Sequence, residues 1–77
     1  NIFPNPTTEV IHLELEKGID GEVALFNMVG QQVFQQYISN NEKRYEWSLG
    51  ALETGIYFYS IVTEGQLVGS GKVVKVE

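Results

Sequence analysis

Apolar and polar residues alternate with a period of two along most of the chain. From Glu9 to Glu16, Ile11, Leu13 and Leu15 fall on one side and His12, Glu14 and Glu16 on the other, the pattern of a strand with one wet face. Gly18 and Asp20-Gly21 end it with turn chemistry. Glu22 to Val29 is apolar in both phases, which predicts either a central strand covered on both sides or a change of phase at a bulge. Gly30 then punctuates the pattern, and Gln31 to Ile38 continues it, so a hairpin is expected around the glycine. After the polar loop Ser39 to Glu42, Tyr45 and Trp47 share a phase in a short strand. Gly50 to Gly55 is read as an irregular connection. Ile56 to Thr63 is almost wholly β-branched or aromatic, the strongest strand signal in the chain. Glu64-Gly65 predicts a tight turn into Gln66–Val68, Gly69-Ser70-Gly71 a bulge or bend, and Lys72 to Val76 a short closing strand. No segment has sustained helical periodicity. The expected fold is all-β: a small antiparallel, immunoglobulin-like β-sandwich of about seven strands.

Composition narrows the function classes. The chain has 77 residues and no cysteine, which bounds it to one domain, residues 1–77, without disulfides or a cysteine-built zinc site. A formal net charge of −5 and the absence of a basic run make nucleic acid a poor partner. No apolar stretch is long enough to span a bilayer. His12 and Asp20 are the only histidine and aspartate, and no Gly-x-Ser-x-Gly nucleophile elbow accompanies them, so no catalytic residue is assigned and no enzyme is expected. His12, Glu14 and Glu16 are too far apart on one strand to chelate an ion unaided, so no metal or cofactor is assigned. Tyr45, Trp47, Tyr57, Phe58 and Tyr59 could form a sugar-stacking platform, but a thin core needs large side chains more. Phe58 is set apart, because period two sends it to the face opposite Tyr57 and Tyr59. Leu52 to Tyr57 has the form of a tyrosine corner, with the Tyr57 hydroxyl expected to return to the backbone a few residues upstream.

Three stretches in order carry a resemblance to a known family. They are Phe3-Pro4-Asn5-Pro6-Thr7-Thr8, then Val23 to Gln32 with its apolar strand and Gly30, then Leu49 to Ile61 with Gly55-Ile56-Tyr57 and the closing Lys72-Val73-Val74-Lys75. Together the chain resembles the type A C-terminal sorting domain of the Bacteroidetes type IX secretion system. Gln31 departs from the pattern, in which Arg or Lys usually follows the glycine. The resemblance implies a label at the end of a larger exported precursor, with residues 1–8 as an entry segment after a linker. It also implies recognition by an outer-membrane translocon, removal by a sortase-like protease, and a covalently linked passenger that ends outside the cell or on its surface. Pro4, Asn5, Pro6, Gly30, Gln31, Gly55, Tyr57, Lys72, Val73, Val74 and Lys75 become the candidate sorting residues, and the final strand is expected to offer an edge for strand addition. The rival readings are a carbohydrate- or cell-wall-binding module and an immunoglobulin-like spacer.

Overall fold

The computed structural model describes residues 2–3 and 9–76. Pro4, Asn5 and Pro6 lie outside the described residues. Among the described residues seven strands follow one another: β1 (Ile2–Phe3), β2 (Val10–Glu14), β3 (Gly21–Phe26), β4 (Gln32–Ile38), β5 (Arg44–Ser48), β6 (Gly55–Thr63) and β7 (Gln66–Lys75). No described residue is helical. A three-stranded sheet has the order β1-β2-β5 and a four-stranded sheet the order β4-β3-β6-β7, every pairing antiparallel. Two antiparallel sheets sharing a core are the expected sandwich.

The core comes from the inward phase of both sheets. Ile11, Leu25, Leu49, Tyr57 and Val73 form one cluster, and Leu13, Val23, Ile38 and Ile61 another. Ile2, Trp47 and Tyr59 pack against both and join them. Of the expected entry segment, Ile2 and Phe3 pair with Leu13 and His12, so the chain enters through a sheet. Trp47 sits with its ring 5.6 Å from that of Phe34 and 5.5 Å from that of Tyr45. The Tyr45 hydroxyl accepts a hydrogen bond from the Ser39 amide and donates one to the Ser39 carbonyl, so its polar end is satisfied at the core margin.

Of the two readings of the doubly apolar run Glu22 to Val29, the central strand covered on both sides holds. β3 is central, between β4 and β6, and Val23, Ala24 and Leu25 are buried in succession. A bulge also lies beside it: Leu25 opposes Phe34 and Phe26 opposes Gln32, leaving Val33 as the extra residue on β4. That extra residue lets Val33 and Phe34, neighbours in sequence, both pack against the first cluster.

Two expectations need correcting. The strand expected to run to Val29 ends at Phe26, because Asn27 begins a turn. The separate pieces expected after Gly65 are one strand, Gln66–Lys75, with a local irregularity where Ile61 opposes Gly69 and Val62 opposes Leu67. Gly71 does not break it, because the Tyr59 ring lies over the space a side chain there would fill. The Glu64-Gly65 turn is as expected, with φ of 52° and 76°, the paired positive values that match the twist of a two-residue hairpin.

Candidate sorting surface

Register places the candidate residues that are far apart in sequence at one end of the four-stranded sheet. Phe26, the last residue of β3, lies opposite Phe58 near the start of β6, and Gly55 at that start lies opposite Lys75 at the end of β7. The β3–β4 turn with Gly30 and Gln31 therefore shares an end with Gly55, Tyr57 and the Lys72–Lys75 stretch. An open cleft of about 230 Å³ lies there, lined by Asn27, Met28, Val29 and Glu53 to Tyr57.

The Tyr57 hydroxyl donates to the Glu53 carbonyl at 2.5 Å while its ring is buried in the first cluster. This is the expected corner: one side chain fills the core and fixes the bend before β6.

The β3–β4 turn is fastened by Asn27. Its Oδ1 accepts from the amides of Val29 at 3.1 Å and Gln31 at 2.9 Å. Its own amide donates to the Gln31 carbonyl, and its carbonyl accepts from the Gly30 amide. Gly30 adopts φ of 87°, a left-handed conformation open to glycine at little cost. Gln31, which stands where the pattern usually has a cation, has its side-chain oxygen accept from Asn27 Nδ2 at 2.9 Å. It braces the turn. Asn27→Ala should lower stability by about 1 kcal/mol, since these bonds are solvent-exposed. The thermal midpoint of the variant, followed by circular dichroism, should fall by about 4–8 °C.

The closing Lys-Val-Val-Lys residues divide by face. Val73 is fully buried and opposite Tyr57, and Lys75 follows it into the inward phase with 8% exposure. Lys72 and Val74 take the outward phase. Both have interactions of their own.

Sequence reasoning missed the apolar side chains displayed at this end. Met28 is 66% and Val29 80% exposed, beside Ile56 and Phe58 at 39% and 44%. Phe58 is outward as expected, whereas the sequence pattern places Met28 and Val29 in a strand. The signal was their position immediately before Gly30, where a turn tip normally carries polar residues.

The other sheet presents charge. His12 lies opposite Glu46, and Glu14 opposite Arg44, whose Nε is 3.4 Å from the Glu14 carboxylate. Among the described residues no group of three or more histidine, cysteine, aspartate or glutamate side chains is placed to hold a metal ion, and no helix is long and apolar enough to cross a membrane. Tyr45, Trp47, Tyr57 and Tyr59 all pack against the core, so the platform that a carbohydrate-binding module would need is not assembled from them.

Comparison with family models matches residues 1–76 to the secretion system C-terminal sorting domain. The chain belongs to this family. Comparison with curated proteins and with solved structures gives no match. The sorting domain is the C-terminal signal for type IX secretion, and it directs export through the outer membrane to the cell surface or the medium. It works with the type IX machinery and an N-terminal passenger, and its family is not a catalytic one.

Proposed function

We propose that residues 1–77 form a single detachable label, read in its folded state by the outer-membrane translocon and then cut from the passenger by a sortase-like protease. Residues 1–8, with Pro4, Asn5 and Pro6, serve as the entry segment next to the passenger. The observation that carries this reading is the gathering of Gly30, Gln31, Gly55 and Lys72–Lys75 at one end of one sheet. Residues so far apart in sequence meet there only in the folded sandwich. Within the set, Tyr57, Val73 and Lys75 hold the shape of that end, while Gly30 and Gln31 shape the turn that projects from it.

The test is a reporter with its own signal peptide and these 77 residues at its C-terminus, expressed in a Bacteroidetes host with and without a working type IX translocon. The expected result is reporter outside intact cells of the first strain and trapped in the periplasm of the second. A shortened reporter in the medium, lacking the label, would mark the cut. Retention of the reporter in the periplasm of both strains would overturn the proposal.

A further inference from the structure

The outward faces of the two sheets differ in chemistry. The three-stranded sheet turns His12, Glu14, Arg44 and Glu46 to the outside. At the cleft end, the four-stranded sheet turns out Ile56 and Phe58, and the adjoining turn adds Met28 and Val29. These four side chains are next to one another: Ile56 and Phe58 share a face of β6, and Ile56 lines the same cleft as Met28 and Val29.

Two properties make this more than scattered surface apolarity. The turn is fastened by the Asn27 side chain to Val29, Gln31 and the Gln31 side chain, so Met28 and Val29 are held out on a braced support. A surface that is ordered before binding loses less entropy when it binds. In addition, Val29 is the most exposed large hydrophobic residue described, ahead of Tyr37 and Met28.

We infer that Met28, Val29, Ile56 and Phe58 are the surface by which the sorting domain seats in an apolar pocket of its receptor protein. This rests on the sorting reading above. Size and charge select that occupant. Apolar patches of functional size on monomers are on the order of 300–600 Å², whereas a stable dimer buries about 800 Å² on each partner. Four side chains and a shallow cleft belong to the smaller class, which suits brief recognition better than self-association. The domain carries a net charge of −5 and Glu53 lines the cleft, against an exposed cation, Lys72 opposite Phe58, so the balance of charge disfavours an anionic lipid or lipopolysaccharide surface. An apolar protein pocket remains.

The experiment compares export of the reporter bearing the wild-type domain with that of Met28→Ser/Val29→Ser and of Glu46→Gln on the charged sheet. Both positions of the double variant are exposed, so its thermal midpoint should stay within about 2–4 °C of wild type. The expected result is at least a tenfold loss of export for the double variant, with folded reporter held in the periplasm and Glu46→Gln exported normally. Wild-type export with undiminished export of the double variant overturns the inference and leaves the sorting reading standing. Failure of the wild-type reporter in the competent strain overturns the sorting reading itself, and the inference with it. A dimer in sedimentation that the double variant abolishes would assign the surface to a second copy. Flotation with lipopolysaccharide vesicles that the double variant abolishes would assign it to the membrane. Either result also overturns the receptor-pocket inference.

Discussion

Replacing Leu25 by alanine should remove a large part of the stability of the domain. Leu25 is fully buried on the central strand β3, in one cluster with Ile11, Leu49, Tyr57 and Val73. It is paired on both sides, with Phe34 on β4 and Tyr59 on β6, so neither neighbour can collapse into the space without disturbing a sheet. Truncations of this kind cost about 3–5 kcal/mol. A domain of 77 residues has roughly 4–12 kcal/mol in total. With a urea dependence of about 1 kcal/mol per molar, the midpoint should fall by about 3–5 M. Trp47 fluorescence is the natural probe, since its ring lies against Phe34 in the same core. A midpoint shift below about 1 M would mean that the Leu25 site can close, contrary to the packing described. Val29→Ala, at the exposed turn, should change stability by no more than about 0.5 kcal/mol.

The residues displayed for recognition and those that hold the sandwich are interleaved along the chain. Tyr57 is core and corner while Ile56 and Phe58 on either side face outward. Val73 is core while Lys72 before it is exposed. A strand sends alternate side chains to opposite faces, so one short motif can specify the fold and decorate its surface. A family motif in such a domain therefore mixes two kinds of constraint, and substitution at Tyr57 or Val73 would affect export through folding rather than contact.

What could be read from sequence follows from the same geometry. The wet and dry phases of β2, the inward pair Tyr45 and Trp47, the outward Phe58 and the Tyr57 corner are local, and period two exposes them directly. The Glu64-Gly65 turn was legible because its two residues need positive φ. Three features were hidden. Met28 and Val29 look like the end of an apolar strand, and only the hydrogen bonds of Asn27 show that the chain has already turned. Lys75 looks like a surface cation, but the phase of β7 carries it inward behind Val73, opposite Gly55, which has no side chain to exclude it. The gathering of Gly30, Gly55 and Lys75 depends on strand order, and strand order is not a local property.

Gly21→Ala is expected to destabilise the domain by about 3 kcal/mol, the upper part of the range for overpacking a close-fitting site. Its flanking Asp20-Gly21 reads as turn chemistry, but space is what demands the glycine. A Cβ at this position would lie 2.2 Å from the Val62 carbonyl oxygen, 3.1 Å from its carbon and 3.3 Å from the Thr63 Cα. All three atoms are β6 backbone, so no side chain can swing away to make room. The Thr63 hydroxyl also donates to the Asp20 carbonyl, which draws the same two segments together. The clash must part β3 from β6, the central pairing of the four-stranded sheet. Where a glycine has ordinary φ and free space, alanine stabilises by about 0.4–1 kcal/mol, because the unfolded chain loses freedom. Gly50 is the matched control: a Cβ there meets the mobile Glu9 carboxylate at 3.1 Å, so Gly50→Ala should be close to neutral. Urea unfolding of the two variants gives effects of different size, and a stable Gly21→Ala would show that β3 and β6 are not so close. The pair also separates folding from recognition in the export assay. Gly21→Ala should lower export together with the folded fraction, whereas Met28→Ser/Val29→Ser should lower it at full folding.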